Sequence, residues 1–227
     1  MTPDQAKKVQ RELAVKVSRS NELETVRLVA GVDISAPDAA GLARAAVVVL
    51  SYPELAPVET KVITKKVMFP YVPGLLSFRE SPLILAVCEE LEATPDLVLV
   101  DGQGIAHPRR LGLASHLGLL WDKPTIGCAK SRLCGEHKIV PAEPGSYAEI
   151  TDNGEVIGAV LRTKTGVAPL YISIGNKVDL ETAVSWVLRC CRGQRMPEPT
   201  RLAHLAASGH LEAPKPVNTQ TQMRLGI

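Results

Sequence analysis

Three short runs of apolar and β-branched residues open the informative part of the chain, and helical and strand-like periods then alternate. Residues 28–34, 43–51 and 58–67 read as strands. The turn Tyr52-Pro53-Glu54-Leu55 between the last two predicts an antiparallel meander. Upstream, Val9, Leu13, Val15 and Val17 among charges predict an opening helix within residues 3–19. From Ser77 to Ala93 the period changes, with Leu83, Ile84, Val87, Cys88 and Leu91 recurring at helical spacing, and Pro95-Asp96 closes the segment. Leu97-Val98-Leu99-Val100 is a continuous apolar run, as expected of a strand buried on both faces. A helix over 113–120 and strands over 125–129, 156–162 and 170–174 follow. Asp179 is placed to N-cap a helix over 180–192, and Pro197-Glu198-Pro199-Thr200 opens a last short one.

Three antiparallel strands, a helix, a buried strand and further α/β units make an α/β protein, with three layers and a central mixed sheet flanked by helices. No low-complexity linker divides the 227 residues, so a single domain over 1–227 is expected, with a mobile tail after about Gly209. The 45% hydrophobic and 22% charged composition excludes a disordered chain. A net charge of only +2 means that any phosphate-facing surface must come from local clustering. Cys88, Cys128, Cys134, Cys190 and Cys191 form no CxxC pair and no even disulfide set, and no basic-then-apolar leader precedes them. A reducing cytoplasm is the expected location. The apolar runs are too short to span a bilayer, and a monomer without membrane partners is expected.

Three carboxylates stand out. Asp101 follows four apolar strand residues and precedes Gly102-Gln103-Gly104, at the carboxyl end of a strand, where ligands of open α/β sheets gather. Taken alone it is equally an Asp-Gly turn residue. Asp33 lies in or at the end of an apolar strand, where a buried carboxylate is costly unless paired or bound to a cation. The alternatives are an outward-facing residue at a strand end or an Asx turn with Ser35, and the functional reading is preferred. Glu80 is fully explained as the partner of Ser77 in a capping box at a helix start.

The segment from Phe69 to Glu80 is the most unusual. It holds both Phe residues and one of the four Tyr, with Pro70 and Pro73 stiffening the chain around Tyr71 and Val72. A stiff loop with an aromatic tip suits wedging or stacking against a base. A core plug is the alternative, preferred for Phe78. His107-Pro108-Arg109-Arg110, then Lys123, Lys130 and Arg132, form a basic cluster. Arg79, Arg109 and Arg110 are candidate phosphate contacts, and His107 a candidate for approaching an attacking or leaving oxygen.

Taken jointly, these pieces closely resemble the endonuclease V (deoxyinosine 3′-endonuclease) family. The resemblance is carried by Gly31-Val32-Asp33, Pro70-Tyr71-Val72-Pro73-Gly74 with Phe78-Arg79-Glu80, and Asp101-Gly102-Gln103-Gly104 with His107-Pro108-Arg109. Pro124-Thr125-Ile126-Gly127 with Ala129-Lys130, and Pro197-Glu198-Pro199-Thr200-Arg201, complete it. It implies an RNase H-like fold and Mg²⁺-dependent hydrolysis, with Mn²⁺ able to substitute, of the second phosphodiester bond 3′ to deoxyinosine in DNA. A 3′-hydroxyl and a 5′-phosphate would result. By resemblance, Asp33, Glu80 and Asp101 bind metal, Lys130 acts at the scissile phosphate, and His107 and His204 surround that centre. Tyr71 belongs to a wedge filling the space of an extruded base, and Gly74, Leu76 and Gly112 line the base pocket. Some relatives carry His where this chain has Gln103. Two alternatives stay open: the same chemistry on inosine in single-stranded RNA, and a non-catalytic nucleic-acid binder of this fold.

Overall fold

The structure, a computed structural model, describes residues 1–211. The expectation of a mobile tail falls largely on residues 212–227, outside the described residues. The chain opens with helix α1 (Pro3–Ala14), started by a reciprocal capping box. Gln5 N donates to Thr2 Oγ1, and Thr2 N donates to Gln5 Oε1. The helix ends before the expected residue 19, which leaves Val15 exposed.

Strands β1 (Leu28–Ile34), β2 (Leu42–Ser51) and β3 (Pro57–Lys66) form the expected antiparallel meander. Helix α2 (Leu76–Cys88) is shorter than the periodic segment that announced it. The Glu59 carboxylate on β3 accepts from Glu92 N and Ala93 N, and this draws the chain off the helix axis. β4 (Leu97–Val100), α3 (Leu113–Trp121) and β5 (Thr125–Ala129) follow as expected.

Two strands were not anticipated: β6 (Glu136–His137) and β7 (Tyr147–Asp152). β7 pairs with β8 (Glu155–Leu161) through Asn153-Gly154, both with positive φ, the dipeptide a tight primed hairpin turn favours. Only Ile150 of β7 is buried, so its apolar alternation is too thin to mark it. β9 (Leu170–Asn176), α4 (Leu180–Cys190) capped by Asp179, and α5 (Glu198–Ala207) are the last elements of the described residues.

Among the described residues nine strands form one mixed sheet in the order β3-β2-β1-β4-β5-β9-β8-β7-β6, with β1, β4 and β5 parallel. Side chains alternate across it. Ala30, Val32, Val98 and Val100 pack against α2 and α3, whereas Val29, Leu97 and Leu99 face α4 and α5. Helices on both faces of a mixed sheet give the expected three-layer, RNase H-like architecture. All five cysteines are free thiols. Among the described residues, no helix is long and apolar enough to cross a membrane.

Candidate active site

Parallel pairing of β1 with β4 sets Gly31 opposite Leu99 and Val32 opposite Val100. One further step in that register brings Asp33 beside Asp101 at the carboxyl ends of adjacent strands, which lie about 4.8 Å apart. Glu80 reaches the same region from the first turns of α2. The expected Ser77–Glu80 capping box is absent: Leu75 is the N-cap without a side-chain bond, and the buried Ser77 hydroxyl has no partner. The cap reading is corrected, and Glu80 is left free to face the two aspartates.

The electrostatics record that proximity. Burial first, then the charge of Asp33, with Asp101 adding to it, pushes Glu80 up to about 7 against the pull of Arg79. Burial also raises Asp33, opposed by its bond to His204, and Asp101 repels it. Two basic side chains reach these carboxylates. Lys130, just past β5, places Nζ 2.5 Å from Asp101 Oδ2, and His204 Nδ1 lies 2.7 Å from Asp33 Oδ2.

A glycine on the strand below brings His204 to Asp33. A Cβ on Gly31 would sit 2.0 Å from Pro199 O, so α5 can cross β1 only because position 31 has none. From Thr200 to His204 the helix advances about 6 Å, and from Gly31 to Asp33 the strand advances about 6.6 Å. A helix start seated on Gly31 therefore places His204 over Asp33.

Beside the carboxylates lies a cavity of about 210 Å³ walled by Tyr71, Pro73, Gly74, Ser77, Gln103 and Gly112, among others. Sites for drug-sized ligands run to about 300–1,000 Å³, so this one suits a single flat ring system. Val72-Pro73-Gly74-Leu75 forms one wall as a tight turn, with Gly74 at φ 76° and Leu75 N donating to Val72 O. Tyr71 at the rim is 70% exposed, which rules out a core plug there, and Arg79 lies 5.9 Å from its ring centroid. Phe78 instead packs on the buried His116 ring, with centroids 4.7 Å apart. Pro70 and Val72 flank Tyr71, and Leu76 is an exposed apolar residue of the same rim.

Three basic residues take different places from those expected. His107 belongs to the pocket wall: its Nδ1 accepts from Arg109 N, and its Nε2 donates to Gly74 O. Burial and the neighbouring Arg109 push it down to about 4, so the ring is neutral and both nitrogens are committed to backbone. Arg109 is turned inward, donating to Gly74 O and to Gln10 Oε1. Arg110 pairs with Glu155 at 2.6 Å and Asp152 at 2.8 Å, anchoring the β7–β8 hairpin tip, and so has no charge to spare for phosphate.

Several lining residues carried no sequence signal. Leu133, half exposed, reaches the cavity from the loop after Lys130. Gln103 Nε2 donates to Ser131 O, joining that loop to the one after β4, while its buried Oε1 lacks a partner. Nothing local marked Gln103 or Ser77 as lining.

Comparison with known proteins agrees with this geometry. The Endonuclease V family model matches residues 11–205. An Endonuclease V of Dehalococcoides mccartyi is 56% identical over 208 residues, covering 92% of this chain and 93% of that protein. The crystal structure of Endonuclease V from Streptomyces avermitilis superimposes with a TM-score of 0.87 at 40% identity, covering 92% of each chain. A Ciona intestinalis Endonuclease V in complex with a 23mer DNA, containing an inosine followed by a ribo-adenosine, gives a TM-score of 0.81 at 31% identity. That match covers 92% of this chain and 98% of that one. With both chains spanned almost end to end and the carboxylates, Lys130 and the Tyr71 loop gathered at one sheet end, this chain belongs to the Endonuclease V family of nucleases.

Proposed function

We propose that this nuclease recognises deoxyinosine in DNA and, with Mg²⁺, hydrolyses the second phosphodiester bond 3′ to it, leaving a 3′-hydroxyl and a 5′-phosphate. The observation that carries the reading is the adjacency of a base-sized cavity, rimmed by the exposed Tyr71, to three carboxylates with Lys130. A base inside a duplex offers its edge poorly, so lesion-specific enzymes extrude it into a pocket, and an aromatic wedge fills the gap. Hypoxanthine presents an O6 acceptor and an N1–H donor. Peptide groups at Gly74, Leu76 and Gly112 are the candidate readers of that edge.

The donor set fits a hard divalent cation. Asp33, Glu80 and Asp101 offer only oxygens, and Lys130 engages Asp101 at Oδ2 alone. Burial and mutual repulsion raise Asp33 and Glu80, which marks negative charge in need of an offset. Among the described residues no three His, Cys, Asp or Glu side chains converge into a preassembled cage. Mg²⁺ keeps several waters and takes one or two carboxylates plus phosphate oxygens, so it asks fewer ligands of the protein than a closed cage would supply. When bound, the ion lowers the pKa of water and clamps the phosphate. Lys130 supplies a preplaced positive charge for the phosphoryl oxygens. His204 holds Asp33 through Nδ1, and Tyr71 keeps the extruded base from returning. A non-catalytic binder would gain nothing from three anions facing phosphate.

The test uses end-labelled duplexes with and without one deoxyinosine, and a matched inosine RNA, each with Mg²⁺ or chelator. A Mg²⁺-dependent cut at the second linkage 3′ to deoxyinosine is expected. Cutting that ignores the lesion would sink the reading, and cutting confined to the RNA would replace DNA with RNA as substrate.

A further inference from the structure

Helix α1 contributes no residue to the reaction centre, yet it carries a polar side chain with no exposed surface. Gln10 is wholly buried. Its Nε2 donates to Gly74 O at 3.1 Å and to Leu111 O at 2.7 Å, and its Oε1 accepts from Arg109 Nε. One amide thus joins the turn at residues 72–75, which forms one wall of the cavity, to residues 107–112, which form another. Arg109 Nη2 and His107 Nε2 also reach Gly74 O, at 2.7 and 3.1 Å. Both amide hydrogens and the carbonyl oxygen of Gln10 have partners in this arrangement. A buried amide loses free energy whenever a partner is withdrawn, so the network favours one spacing of the walls over its neighbours.

We infer that Gln10 is a positioning residue for lesion recognition, setting the separation of the Gly74 turn from the Leu111–Gly112 wall and hence the fit of the extruded base. The inference rests on the base-extrusion reading above. Peptide groups read a base edge only within hydrogen-bond distance, about 2.7–3.2 Å, and the bonds weaken steeply as alignment is lost. A small shift of either wall would weaken the contacts to hypoxanthine while leaving Asp33, Glu80, Asp101 and Lys130 in place. Gln10 touches none of those four, so its effect belongs to binding and discrimination rather than to the hydrolytic step.

Single-turnover cleavage by the full chain, titrated over enzyme concentration on deoxyinosine and matched deoxyadenosine duplexes, tests this. Gln10→Ala risks unfolding α1. Gln10→Met keeps the volume and helix propensity while removing both donors and the acceptor, and Gln10→Glu keeps only the acceptor for Arg109. Melting curves qualify each variant as folded at the assay temperature. For a folded variant the half-saturating concentration on deoxyinosine should rise about tenfold, and preference over deoxyadenosine should fall about tenfold. The limiting rate should stay within about twofold. Unchanged half-saturation and preference in folded Gln10→Met overturns the inference, as does a loss confined to the limiting rate. Wild-type protein cutting both duplexes alike would instead overturn the base-extrusion reading itself.

Discussion

Ionised Glu80 is unfavourable in the metal-free fold, and the sign of its pH dependence follows from that. An unfolded glutamate titrates near 4.5, whereas burial and the facing charge of Asp33 push folded Glu80 to about 7. Between those values the folded protein holds a proton that the unfolded chain has released. Stability from this group is therefore fully present below about 4.5 and lost as pH rises through about 7, by on the order of 3 kcal/mol. Asp33, raised by burial, acts in the same direction. His107 and His116, both pushed down to about 4 by burial, act oppositely, but only up to their unfolded value of 6.5. The informative window is therefore pH 6.5–8. In chelator, the melting temperature of wild type relative to Glu80→Gln should fall across that window, and Mg²⁺ should restore wild type alone. A difference independent of pH would remove Glu80 from the charged cluster.

Among the elements, α5 shows most directly how packing places chemistry. Gly31 and Asp33 share one face of β1, Pro199 rests on the first and His204 reaches the second. Gly31→Ala should lift α5, costing about 1–3 kcal/mol of stability through overpacking and lowering the cleavage rate as His204 withdraws. His204→Ala should lower the rate with little change in melting temperature, because this histidine is exposed. Full activity in folded Gly31→Ala would show that the helix need not sit there. This dependence was invisible in the sequence, where Gly31 reads as one weak residue in a strong strand. The periodic elements were legible because local pattern and tertiary burial agree in β1, β4, β5 and α4. Pattern misled at Ser77-x-x-Glu80, where the capping motif is present in sequence but the side chains point elsewhere. The equivalent Thr2-x-x-Gln5, which does cap a helix, passed unread. The hairpin turn Asn153-Gly154 carried a clear signal, but its strand β7 lies near the sheet's far edge with only Ile150 buried, too little for burial to write an alternation. Asp33 and Asp101 were suspect from strand position alone. Glu80 depended on the resemblance, and Gln10 on contacts 64 and 101 residues away in sequence.

For the whole molecule, a net charge of +2 leaves DNA affinity to the few cations that face the backbone free of carboxylate partners. Composition alone cannot separate these from structural cations, but ion pairing does. Arg110 sits with Asp152, Glu155 and Arg19 in a cluster whose two positive and two negative charges cancel. Its task is to pin the β7–β8 hairpin tip to the pocket segment. Arg79, beside Tyr71 and in the groove shared with Glu80, has no ion pair among the described residues and stays available to a phosphate. Counterion release turns this distinction into a measurable slope: each phosphate neutralised adds about 0.9 to the fall of log K with log salt. With binding of a deoxyinosine duplex measured from 50 to 200 mM salt, Arg79→Gln should reduce the slope by about 0.9. Arg110→Gln should leave the slope unchanged while lowering the melting temperature, since it leaves Asp152 without its cation and Glu155 with Arg19 alone. Equal loss of slope in the two variants would return Arg110 to the phosphate contacts from which its salt bridges now remove it.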